Sequence, residues 1–267
     1  MYKYLLFFCL ICSVAFVSCK KDDNTISWVS TSQDYANAQA YIQEIFKIVD
    51  EAAKNNAEIY KLASLDCATV TLEADTPGVF PKTLIIDYGL VNCIGTDGRK
   101  RRGVIRAVFN ERYSEPGTSV QISFDNFFIN NYKVTSNNLK ITNTSNLIQT
   151  QYHFHFPNLR FTNSSGQGIN ANGSHTFVLV EGDSTQIHSD DKFQVSGSFS
   201  GNGTAGSAFV ATITEPLILN YECRSFTFGI LNISLSDVDG VFNYGDGTCN
   251  DEATVLIDGR QFYINLE

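Results

Sequence analysis

From Asp34 to about Leu65, apolar residues recur at every third or fourth position: Tyr35, Ala38, Ile42, Ile45, Val49 and Ala52. That spacing paints one face of an α-helix. Asp34 fits an N-cap, and Asn55-Asn56 offers a break or an end. A stripe of this kind predicts a helix laid on a sheet. After Cys67 the period changes to two. Val120, Ile122 and Phe124 alternate with Gln121 and Ser123, and Tyr152, Phe154 and Phe156 with Gln151, His153 and His155. Phe193, Val195, Gly197 and Phe199 continue the pattern. Ala253 to Ile257, Asp258-Gly259 and Gln261 to Leu266 read as a hairpin. Turn-rich joints such as Asn163-Ser164-Ser165-Gly166 and Gly201-Asn202-Gly203 separate these segments. The expected fold is mainly β: an antiparallel β-sandwich or elongated twisted sheets, with one N-terminal α-helix packed on them. No βαβ alternation occurs, which excludes doubly wound and TIM-barrel folds.

All 19 glycines and all five prolines lie from Pro77 onward, so the composition shifts near residue 66. The expected organisation is a leader over 1–18, a polar tether over 19–33, the helix over 34–66 and a single β domain over 67–267.

The leader carries an address. Lys3 supplies a positive charge, and Tyr4 to Val17 is an uncharged, apolar run interrupted only by Ser13. That run is shorter than the ~20 residues of a spanning helix but suits a signal-peptide core. It ends at Ser18-Cys19, which resembles a bacterial lipobox, with Phe16 where leucine is usual. The resemblance implies diacylation of Cys19 as the new N-terminus, palmitate being a typical acyl group. An ordinary signal peptide cut elsewhere is the alternative. Cys19-Lys20-Lys21-Asp22-Asp23 in turn resembles the Bacteroidota export tag, which implies display on the outer face of the outer membrane. The plainer reading of Lys20, Lys21, Asp22 and Asp23 is a solvated charge run. Acyl chains contribute about 0.8 kcal/mol per buried methylene, so two or three would hold the chain to a bilayer.

Seven cysteines are present. Cys9 and Cys12 fall inside the leader, and Cys19 is assigned to lipid. Cys67, Cys93, Cys223 and Cys249 remain, an even number in an exported chain. Cys67–Cys93 and Cys223–Cys249 share one spacing of 26 positions. Overlaying the segments aligns Tyr88-Gly89 with Tyr244-Gly245, Asp87 with Asn243 and Thr71 with Thr227, and each copy is followed by Asp-Gly-Arg, at Asp97 and Asp258. Two antiparallel hairpins, each closed by its own disulfide and occupying related, adjoining places in the sheet, are expected. A four-thiolate zinc site is the rival, without the short cysteine spacing that zinc sites favour.

Composition narrows function. A chain 43% hydrophobic, with 20 Phe and 12 Tyr, has the means to build a large core. A net charge of −9 argues against nucleic acid. His153 and His155 would share a strand face about 7 Å apart, a weak candidate metal pair lacking a third ligand. His175, His188, Asp190 and Asp191 are donors that no spacing selects. Asp237-Val238-Asp239-Gly240 starts like a calcium loop but fails its pattern, so a turn is expected. Gly197-Ser198-Phe199-Ser200-Gly201 has Phe199 where a nucleophile elbow needs serine. Arg99-Lys100-Arg101-Arg102 reads as the crown of a solvated turn, with anionic polysaccharide as an alternative partner. Asp183-Ser184-Thr185 resembles a short Bacteroidota O-glycosylation motif, and Trp28 is placed in the tether.

The leader, the helix and the paired cysteine hairpins together resemble the uncharacterised surface-exposed lipoproteins of Bacteroidota. That resemblance implies an outer-membrane, lipid-anchored, non-enzymatic binding or structural module with no cofactor. The alternative is a glycan-binding accessory protein of a polysaccharide-uptake system, marked by a row of exposed aromatics. Either way a glycan or a protein is the expected partner.

Overall fold

A computed structural model describes residues 23–56, 67–73, 76, 78–185 and 188–266. The leader, Cys19, Lys20, Lys21 and Asp22 lie outside the described residues. One helix, α1 (Asp23–Asn56), precedes fifteen strands. These are β1 (Thr69–Glu73), β2 (Lys82–Asp87), β3 (Cys93–Ile94), β4 (Lys100–Phe109), β5 (Ser119–Ile129), β6 (Tyr132–Thr135), β7 (Leu139–Asn143) and β8 (Gln151–Thr162). There follow β9 (Gly168–Glu181), β10 (Lys192–Asn202), β11 (Ala208–Asn220), β12 (Phe228–Leu235), β13 (Val238–Asp246), β14 (Glu252–Ile257) and β15 (Arg260–Asn265).

The chain is mainly β, and every ladder is antiparallel. The strands make one continuous meander rather than two facing sheets, with β1 and β15 as its ends. β6 and β7 share one lane, each bridging β5 and β8. Alternation was a reliable guide here, because each strand buries one face. Tyr152, Phe154 and Phe156 of β8 point inward while Gln151, His153 and His155 do not.

The interior of this sheet is filled by α1. Phe46 stacks on Phe177 of β9 at 3.7 Å and meets Phe193 of β10 edge-on. Tyr35 packs on Phe199, Phe209 and Phe242 of β10, β11 and β13. Tyr41 lies against Tyr132 and Phe161 of β6 and β8. The sheet therefore curls around the helix. Tyr35, Ala38, Ile42, Ile45, Val49 and Ala52 are all buried, as their stripe requires. So are Ser32, Gln39, Gln43, Glu44 and Asp50 on other sides. The helix is enclosed rather than laid on a surface by one face.

One boundary differs from expectation. Residues 23–33 are not a tether but the opening turns of α1. The segment is polar enough to look like a linker, yet it holds no helix breaker. Its hydroxyls are absorbed locally, with Ser30 and Thr31 both donating to the Ser27 carbonyl. Trp28 is thus a helical residue packed on the core, its Nε1 donating to Asp237 at 3.0 Å. Asp34 is accordingly no N-cap. Its carboxylate accepts from the amide and hydroxyl of Thr204 at 2.7 and 2.9 Å, in the β10–β11 turn. Gly203 permits that approach, since a Cβ there would stand 2.5 Å from Asp34 Oδ2. Burial raises the Asp34 pKa, against the lowering effect of the two Thr204 bonds.

The two cysteine hairpins are present, bridged Cys67–Cys93 and Cys223–Cys249. Each copy turns by the same device: Gly89 N donates to Asp87 Oδ1 at 2.7 Å, and Gly245 N to Asn243 Oδ1 at 2.8 Å. Both glycines have positive φ, 77° and 115°. At Gly89 the space around a Cβ is open, so conformation and not crowding demands glycine. The hairpins are not adjoining strands. β1–β2 ends the sheet on one side, while β12–β13 lies toward the other. They approach across the gap that the meander leaves open, where Arg99 Nη2 donates to the Arg224 carbonyl at 2.9 Å.

Candidate functional site

One strip of α1 borders that gap, with Lys47 and Glu51 half-buried and Glu44 and Ile48 buried. Glu44, Lys47, Ile48 and Glu51 recur at helical spacing and face Tyr88, Thr96, Asp97 and Arg101 across a cleft of about 250 Å³. The cluster is paired on its inner side. Arg99 Nη1 reaches Glu44 Oε2 at 3.1 Å, and Arg101 binds both Glu44 and Asp97. Burial alone would raise the Asp97 pKa, but Arg101 and the Arg99 amide hold it below the ordinary range. Lys47 Nζ donates to the Tyr221 carbonyl at 2.6 Å. Burial pushes the Glu51 carboxyl up to about 7, Lys47 opposing and Glu44 and Asp50 reinforcing.

One turn further on, Asp50 is fully buried and accepts from Tyr113 at 2.8 Å, Tyr221 at 2.9 Å and Lys54 at 2.9 Å. Tyr113 comes from the β4–β5 loop and Tyr221 from the β11–β12 loop, so one carboxylate ties two distant connections to the helix. Lys54 continues to Asp191 at 2.8 Å. Burial would lower the Lys54 pKa, but Asp50 and Asp191 carry it above its usual value. This strip combines a cleft, charged groups and one carboxyl that titrates near neutrality, features that mark candidate sites.

The basic run is the clearest correction. Arg99 and Arg101 are 2% and 4% exposed and serve Glu44 and Asp97. They are not a solvated crown, and two of the four cations are therefore withdrawn from any polyanion. Lys100 stays exposed, and Arg102 lies over the Phe128 ring at 3.6 Å.

The histidines do not converge. His153 and His155 share the outer face of β8, with His153 3.4 Å from Thr176 Oγ1. His175 is sealed among Phe156, Phe177 and Phe199. His188 and Asp191 sit at the far end of α1, beside Lys54, and Asp190 accepts from Thr185. Among the described residues no group of three or more His, Cys, Asp or Glu could hold a metal ion. Asp237 lies in the β12–β13 turn while Val238 to Gly240 open β13, and Gly197 to Gly201 lies within β10. Asp183 accepts from Thr150 in an exposed loop.

The surface of β11 to β14 carries two adjoining shallow depressions, of about 610 and 480 Å³, sharing Ser234 and Asp239. Val210, Val241 and Leu256 give them an apolar floor. Tyr263 is exposed nearby on β15, the one aromatic among the exposed large hydrophobics of the described residues. Among the described residues no row of exposed aromatics accompanies it. Sequence reasoning pointed to none of Glu44, Lys47, Glu51 or Asp50, because polar residues on a helix ordinarily read as its solvent side.

Fold and site together define a mainly β protein with an enclosed helix and polar surface clefts. Comparison with family models, curated proteins and solved structures finds no match for this chain. Among the described residues, no helix is long and apolar enough to cross a membrane.

Proposed function

We propose that this protein is a non-enzymatic binding or structural module, anchored by lipid at Cys19 and displayed on the outer membrane. The observation that carries the reading is the early start of α1. Only Lys20, Lys21 and Asp22 separate Cys19 from the first helical residue. At no more than ~3.5 Å per residue, that link reaches about 14 Å. A lipid there would hold the helix start and the β10–β11, β12–β13 and β14–β15 turns close to the bilayer.

Metabolic labelling with an alkyne-palmitate tests the anchor. The wild type should be labelled and Cys19→Ala should be unlabelled and released from membranes; an unlabelled wild type overturns it. Replacing Lys21, Asp22 and Asp23 with alanine should keep the lipid and abolish cleavage of the protein in protease shaving of intact cells.

A second reading, a glycan-binding accessory role, draws on the exposed Tyr263 of β15, the strand next to the depressions of β11 to β14. Titration with a panel of polysaccharides tests it: binding that Tyr263→Ala abolishes supports the role, and no binding by the wild type sinks it.

A further inference from the structure

Gln33, Gln39 and Gln43 lie on the side of α1 that meets the end of β15 and the loop after Cys223. Gln33 behaves as a substitute strand. Its amide donates to the Asn265 carbonyl at 2.7 Å and accepts from the Asn265 N–H at 3.1 Å. Gln43 Nε2 donates to the Arg224 carbonyl at 3.1 Å. Between these two contacts the joint is incomplete. Gln39 Nε2, Gln43 Oε1 and Ser225 Oγ are shut off from solvent without a protein partner. Their residues are 1%, 2% and 3% exposed. All three border one small cavity of about 10 Å³, closed by Phe226, Tyr244 and Leu266.

We infer that this cavity binds a single structural water molecule, held by Gln39, Gln43 and Ser225. The volume matches one water, and buried waters make about three hydrogen bonds to otherwise unsatisfied groups. The chemistry is complementary as well. The water accepts from Gln39 Nε2, donates to Gln43 Oε1, and exchanges its remaining bond with the Ser225 hydroxyl, which both donates and accepts. An apolar occupant would leave the three groups unpaired, and a larger polar one does not fit. The water thus completes the row of glutamines by which α1 is fastened beside the Cys223–Cys249 bridge.

Water-to-protein cross-relaxation NMR on the folded, oxidised protein tests this. The Gln39 side-chain amide protons should show a cross-peak to a long-lived water, and a crystal structure at high resolution should place that water within 3.2 Å of the three atoms. Ser225→Val puts a methyl into the cavity and should remove the cross-peak while the amide spectrum stays folded. Should that variant not fold, Ser225→Ala keeps two partners and should retain the cross-peak with faster exchange. A wild type with no cross-peak, and with Gln39 Nε2 bonded directly to Gln43 Oε1, overturns the inference.

Discussion

Arg99 and Glu44, 55 positions apart in the chain, meet at 3.1 Å in the gap of the curled sheet, both nearly excluded from water. Arg99 also donates to the Arg224 carbonyl, and Arg101 shares the same glutamate. A pair of buried arginines around one carboxylate pays heavily for desolvation, so its net stabilising value is modest. Removing one partner is another matter, because the remaining charges stay buried. Glu44→Gln should therefore destabilise by about 3–5 kcal/mol in urea unfolding, whereas Arg102→Ala, at a half-buried cation–π contact with Phe128, should cost about 1–2 kcal/mol. Equal effects of the two variants would contradict the assignment of Glu44 as the hub.

The bridges close two loops of the same length, with a separation of 26 in each. The chain-entropy estimate gives about 3.5 kcal/mol for each. Cys67→Ala/Cys93→Ala and Cys223→Ala/Cys249→Ala should each lose stability of that order. Non-reducing peptide mapping of the wild type should yield Cys67–Cys93 and Cys223–Cys249 peptides. A Cys67–Cys223 peptide would falsify the pairing.

These bridges were legible in the sequence because a repeat placed Tyr88-Gly89 and Tyr244-Gly245 in register, and the Asp87 and Asn243 turns show why the repeat exists. Strand alternation was legible for a related reason: a strand with one buried face writes its burial into every second residue. Arg99, Arg101, Glu44 and Asp50 wrote nothing comparable. Their burial depends on partners brought from distant strands and loops, and a charged residue reads as exposed until its partner is known. The first turns of α1 were missed likewise, since Ser27, Ser30 and Thr31 look like linker chemistry when their intrahelical acceptors are unseen.

His175 should make the fold acid-sensitive. Burial among Phe156, Phe177 and Phe199 is the main cause that lowers its pKa from 6.5 to about 3. The unfolded chain takes up this proton below pH 6.5 and the folded chain only near pH 3. The contribution is thus complete above pH 6.5 and is lost as pH falls toward 3, by an amount on the order of a few kcal/mol. His175→Phe should flatten that part of the stability profile. An unchanged slope between pH 6.5 and 3 in the variant would count against a neutral, buried His175.

Glu51 should act with the opposite sign. Its carboxyl stands in the cleft beside Lys47, and burial raises its pKa from 4.5 to about 7, with Glu44 and Asp50 adding to the rise. The folded state therefore binds this proton more tightly than the unfolded chain does. Below pH 4.5 both states carry it and the group is neutral in its effect. Between pH 4.5 and 7 the unfolded chain releases this proton while the folded state keeps it, so stability falls across that window and the loss is complete above 7. Glu51→Gln keeps the shape and removes the titration, so it should gain about 1–3 kcal/mol at pH 8 and little at pH 4.5. Carbon-13 chemical shifts of the Glu51 carboxyl should show a midpoint near 7. A midpoint near 4.5, or a variant no more stable than the wild type at pH 8, would place Glu51 in open solvent and remove it from the cleft.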